Sequence, residues 1–215
     1  MREPDAVLVE AAISYRAAGK VDEAETYFRK ALERNPKSWR AHREYAELLR
    51  DQQSIGAALD HYAAAADCVP EHGNDRALVF REWGMLLRMS GGPDAYAKAV
   101  EKFEIARRAT PNDAILAHAL AACYVRLDQF RKAIPILDAL VTSNSAETRA
   151  RSYDLLERCY KGTHDALKLA ELKEARAADH EATLVRPRSK RTVEGSSRPL
   201  VPSRPDGYKQ RRNRR

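Results

Sequence analysis

A pattern of small and large apolar residues recurs along this chain at an interval of 34 residues, and that recurrence excludes most folds before any other feature is weighed. In residues 5–38, Leu8, Ala11, Ala12 and Tyr15 fall at helical spacing in a first segment, Ala24, Phe28 and Ala31 in a second, and Pro36 follows. Moving along by one interval brings up His42, Tyr45, Ala46, Leu49, Ala58, Tyr62, Ala65 and Pro70, which keep most of that character. The second segment is the more regular. Ala24, Phe28 and Pro36 are answered by Ala58, Tyr62 and Pro70, by Ala99, Phe103 and Pro111, and by Ala133, Leu137 and Ser145, with twelve residues from alanine to closing residue each time.

Residue size gives the pattern its physical sense. Two antiparallel helices approach closely only where a small side chain faces a large one, so Ala24 must be small for Tyr15 to lie beside it, while Phe28 fills the gap towards the following unit. Proline then ends the second helix, having no amide to donate and clashing with the preceding turn. The unit length and the alanine, aromatic, proline signature resemble the tetratricopeptide repeat family. The resemblance implies an all-α fold, a right-handed superhelix of about five helix pairs acting as a non-catalytic protein-binding module. The repeats are expected at residues 5–38, 39–72, 77–113 and 114–147, with a degenerate fifth at 150–182 and a tail at 183–215. In the third unit the pair Trp83 and Gly84 is closer to the family pattern than either earlier copy. In the fifth, Tyr153, Leu156 and Tyr160 are followed by a charged helix around Ala166, Leu169, Ala170, Leu172 and Ala175, as expected of an element that stops the stacking.

Composition agrees with Ala- and Leu-rich helix pairs: 44% of residues are hydrophobic but only 7% aromatic. No apolar run approaches the ~18 residues of a membrane span, and the start carries no apolar signal segment, so the expected compartment is the cytoplasm, or the nucleus for a eukaryotic source. Cys68, Cys123 and Cys159 form no C-x-x-C pair and read as packed thiols. The six histidines have no metal-ligand spacing. Hydrolase, metalloprotease and phosphate-loop motifs are missing from the sequence, so neither catalysis nor a cofactor, metal or small-molecule substrate is expected.

In the family, the first helix of each pair lines the concave wall. Projecting the helical period onto this sequence puts Val9, Ile13 and Arg16 on that wall, then Arg40, Arg43, Glu47 and Arg50, then Leu78, Arg81, Met85 and Arg88. Ile115, His118, Ala122 and Arg126 come next, and Arg151, Asp154, Arg158 and Lys161 last. Arginine dominates, which points to an acidic, extended or helical partner segment held at Arg40, Arg43, Arg50, Arg81, Arg88, Arg126 and Arg158, with apolar contacts from Met85 and Ile115 and a further contact at His118. The competing reading is a solvated face with i, i+4 pairs such as Arg40 with Glu44 and Arg43 with Glu47. One family subtype clamps chaperone C-termini with lysines, asparagines and an arginine. The matching positions here are Val9, Ile13, Glu44, Leu78 and Glu82, so that specificity is not expected.

The net charge of +7 is unevenly placed: from Thr183 onward there are eleven basic and two acidic side chains, a net +9, which leaves −2 for the rest. The prolines and glycines of this tail favour disorder. Arg186, Arg188, Lys190, Arg191, Lys209, Arg211, Arg212, Arg214 and Arg215 suit salt-sensitive nucleic-acid binding, docking on an acidic partner, a nuclear address or plain solubility.

Overall fold

The computed structural model describes residues 5–185, and these form ten α-helices joined by short turns. They are α1 (Ala6–Ala17), α2 (Val21–Arg34), α3 (Trp39–Asp51), α4 (Ile55–Cys68), α5 (Asn74–Ser90), α6 (Pro93–Ala109), α7 (Ala114–Arg126), α8 (Phe130–Leu140), α9 (Ala146–Gly162) and α10 (Ala166–Val185). Each packs on its neighbours in sequence. In addition α1 packs on α3, α5 on α7 and α7 on α9, so the odd-numbered helices form the inner wall of a right-handed superhelix of five hairpins. None of the described helices is long and apolar enough to cross a membrane.

Local chemistry fixes the helix ends. Ser38, Asp113 and Ser145 cap α3, α7 and α9, with Asp113 Oδ1 accepting from the amides of Ile115 at 2.9 Å and Leu116 at 3.0 Å. Pro93 opens α6, where its missing amide costs nothing. Pro135 lies inside α8. Because α8 starts at Phe130, it falls in the second turn and leaves the Arg131 carbonyl without its helical donor. Ser54 stands at the N-cap of α4, but its side chain accepts no capping bond.

The small-against-large rule is visible atom by atom. Ala24, Ala58, Ala99 and Ala133 are completely buried, as are Phe28, Tyr62, Phe103 and Leu137. Phe28 stacks on Tyr45 of the next hairpin, ring centroids 5.5 Å apart. Gly84 sits so close to Phe103 that a Cβ there would lie 2.6 Å from the ring, and Gly162 faces Phe130 in the same way at 2.2 Å. A recurrent polar tie joins the hairpins. Tyr45, Tyr124 and Tyr160 each donate a hydroxyl back to an acid on the preceding helix, to Glu25 at 2.9 Å, Glu104 at 2.8 Å and Asp138 at 3.4 Å.

The core falls into two clusters, one spanning α1 to α4 with Leu86, the other running from Ala65 to Tyr160, and Leu59 and Trp83 touch both. Cys123 and Cys159 are buried in the second, which pushes both thiols up to about 11. The outer face of α10 is wet, with only Leu169, Leu172, Asp165 and Asp179 half-buried among residues 165–180. The helix continues to Val185, past the point where the composition changes. Basic-tail residues Arg186 to Arg215, and the disorder expected of them, lie outside the described residues.

Candidate functional site

Two kinds of surface make up the inner wall. On α1, α3 and the first half of α5 the arginines are committed to acids of the same chain. Arg16 reaches across from α1 to Glu44 at 3.1 Å and Glu47 at 3.3 Å. Arg40 pairs with Glu10, and Arg50 with Glu47 at 3.1 Å and Asp51 at 2.9 Å. Arg43 lies 2.8 Å from Glu44 and 3.0 Å from Glu82 of α5, although neither Arg43 Nε nor Glu82 Oε2 completes a hydrogen bond. Burial pushes the Glu82 carboxyl up to about 7 against the pull of Arg43. Arg81 bonds Asp113 at 3.1 Å, so the residue that caps α7 also neutralises the wall. Arg16, Arg40 and Arg81 reach acids of a neighbouring hairpin, Arg43 pairs both with Glu44 on its own helix and with Glu82 on the next inner helix, and Arg50 pairs within α3. The expected i, i+4 partners of Arg40 and Arg43 are not the ones used: Arg40 pairs with Glu10, and Arg43 with Glu44 and Glu82.

Beyond Arg81 the wall changes. Arg88 of α5, Arg126 of α7 and Arg158 of α9 line one cavity of about 170 Å³, with Tyr96, Ala122, Val125 and Leu155. Among the described residues none of the three has an ion-pair partner. Arg88 is half-buried, its Nε has no hydrogen-bond partner, and its Nη2 has the Met85 sulfur at 3.7 Å. The acids of α9 are engaged elsewhere: Asp154 and Glu157 face Arg176 of α10 at 2.8 Å and 3.6 Å, and Glu157 also meets Lys161 at 2.7 Å. His118 is half-buried, and burial lowers its pKa, with the charges of Arg151 and Arg88 adding to that against a backbone hydrogen bond at Arg151.

The ten wall residues expected to contact a partner are therefore divided. Arg40, Arg43, Arg50 and Arg81 belong to the paired stretch; Arg88, Arg126 and Arg158 share the cavity; Met85 contacts Arg88, His118 lies near it, and Ile115 is exposed on α7. Val9 departs from expectation. It is 1% exposed because α1 is rotated towards the hairpin core, where Val9 and Ala12 are the buried positions. Sequence reasoning missed Tyr96, which lies on α6, a second helix of a pair. The tail residues proposed for nucleic acid or an acidic partner, Arg186, Arg188, Lys190, Arg191, Lys209, Arg211, Arg212, Arg214 and Arg215, lie outside the described residues.

The tetratricopeptide repeat family model matches residues 9–72. No curated protein sequence matches the chain. Among solved structures, YrrB, described as a TPR protein with an unusual peptide-binding site, is similar with a TM-score of 0.69 at 14% identity over 82% of this chain and 87% of its own. MamA is similar with a TM-score of 0.70 at 15% identity, covering 86% of this chain and 96% of its own. A putative kinesin light chain with TPR-like repeats from Podosopora anserina gives a TM-score of 0.62 at 19% identity, covering 87% and 100%. Residues 9–72 thus match the tetratricopeptide repeat family by sequence, and the described chain as a whole has the fold of tetratricopeptide repeat structures.

Proposed function

We propose that this protein is a non-catalytic adaptor whose concave wall captures an acidic segment of another protein, and that the capture is centred on Arg88, Arg126 and Arg158. One observation carries the reading: along a single wall, the arginines of α1, α3 and early α5 are neutralised from within, whereas the three at the α5, α7 and α9 cavity have no carboxylate partner among the described residues. Guanidinium groups without internal partners, set beside apolar walls, gain most from an incoming carboxylate, because the pair forms where water is partly excluded. The fold gives the reading a frame, since YrrB is described as having a peptide-binding site on the same architecture. Met85 and Ile115 offer the apolar contacts beside the charge, the latter 69% exposed.

The test is direct. A degenerate pool of acidic 15-residue peptides should bind saturably in fluorescence anisotropy, and a basic pool should not. The double variant Arg126→Glu, Arg158→Glu should abolish that binding while the helical circular dichroism stays that of the parent. Equal binding of the acidic pool to parent and double variant would remove the proposal.

A further inference from the structure

Resting on the reading of the wall as an acidic-segment receptor, we infer that the cavity between α5, α7 and α9 seats a phosphate monoester: the anchor of the captured segment is a phosphorylated serine or threonine. The charge balance is the first reason. One carboxylate carries a single negative charge, which one guanidinium balances through a two-bond pair. Three guanidinium groups line this cavity, from three successive inner helices, and no carboxylate lines it. A lone carboxylate there would leave two cations facing each other. A phosphate monoester carries about −1.5 to −2 at pH 7 and three strong acceptor oxygens, which matches three donors arriving from three helices.

The second reason is Arg88. Its Nε is buried without a partner, and the thioether of Met85 at 3.7 Å is the acceptor its Nη2 finds. A thioether is a weak acceptor, so the chain itself satisfies this guanidinium poorly. A strong anionic acceptor in the cavity would supply what is missing, and two donors of one planar group suit two oxygens of a phosphate. The third reason is the wall between the charges. Ala122, Val125 and Leu155 are apolar, Tyr96 is the one other polar residue of the lining, and no carboxylate stands there to offset the arginines. Leaving the acids of α9 to Arg176 and Lys161 keeps them from cancelling that charge.

Three degenerate 15-residue pools, identical except for a central phosphoserine, glutamate or serine, discriminate the source of recognition when passed over the immobilised full chain. The phosphoserine pool should be retained at least ~10-fold better than the glutamate pool. Its retention should fall at least ~10-fold in Arg88→Gln, and millimolar inorganic phosphate should displace it where equal acetate does not. Arg88→Lys, which keeps charge but loses the planar fork, should recover only part of the retention. Equal retention of glutamate and phosphoserine pools overturns the phosphate anchor and leaves acidic-segment capture standing. Retention of neither pool overturns both, and retention of the phosphoserine pool unchanged in Arg88→Gln overturns the seat. Circular dichroism of Arg88→Gln and Arg88→Lys shows whether either has lost the fold; Arg126→Ala with Arg158→Ala, exposed positions, then carries the same comparison.

Discussion

The two halves of the inner wall use the same residue for opposite ends. In the N-terminal half Arg16, Arg40, Arg43 and Arg81 tie one inner helix to the next through Glu44, Glu47, Glu10, Glu82 and Asp113, while Arg50 pairs along its own helix with Glu47 and Asp51. In the C-terminal half Arg88, Arg126 and Arg158 have no ion-pair partner among the described residues and line an open cavity. The difference teaches that a count of arginines on a repeat surface says little until the acids on the adjacent helices are counted with them. A paired arginine is part of the stacking; an unpaired one is available to a partner.

The comparison can be broken at its joint or sharpened on either side. The largest expected effect is at the joint. Phe103 is wholly buried between α5 and α6 against Gly84, and Phe103→Ala should lower stability by ~3–5 kcal/mol in urea melts, since the cavity left between rigid helices cannot collapse fully. Next comes the paired half. Glu44, 6% exposed, meets both Arg16 and Arg43, and Glu44→Ala should cost ~1–3 kcal/mol by taking one carboxylate from each of two half-buried guanidiniums, which keep Glu47 and Glu82, with no effect on peptide capture.

A pH dependence belongs to the same half. His42 Nε2 lies 3.0 Å from the Pro36 carbonyl, so it donates there, and His61 Nδ1 then donates to His42 Nδ1 at 2.9 Å. Burial, and then His42, lower the His61 pKa from about 6.5 to about 4. The unfolded chain takes up this proton below pH 6.5 and the folded chain only near 4. The stability His61 contributes is therefore complete above 6.5 and lost as the pH falls through 4. Glu82, raised to about 7, gains stability as the pH falls over the same range, so the His61 share is read as a difference: between pH 7 and 4 the parent should lose stability relative to His61→Gln in paired melts. The smallest effect is on the open side. Arg126→Ala and Arg158→Ala remove exposed side chains with no ion pair among the described residues and should change stability by less than ~0.5 kcal/mol in the same melts.

The fold was legible in the sequence because stacking demands small residues opposite large ones, and Ala24 with Phe28, Ala99 with Phe103 and their counterparts declare that demand at fixed intervals. The ends of the chain were less so. Val9 looked like a wall residue because a period of 3.6 fixes spacing but not absolute rotation, and α1 turns Val9 and Ala12 into the hairpin core. The membership of the candidate site was read in outline, since Arg88, Arg126 and Arg158 follow from the helical period. Its division was not. Whether Arg43 meets Glu47 on its own helix or Glu82 on the next depends on the distance between hairpins, which no local pattern encodes. Tyr96 escaped notice for a related reason: a residue of a second helix enters the wall only through the way α6 leans against α7 and α5.

The central claim is the unequal division of one wall, and a single pair of double variants measures it. Titrate the acidic peptide pool against Arg126→Ala with Arg158→Ala, and against Arg40→Ala with Arg50→Ala, by fluorescence anisotropy at fixed salt. The account predicts at least a ~10-fold loss of affinity in the first and affinity within about twofold of the parent in the second. Equal losses in both, or a loss confined to the second, would contradict it.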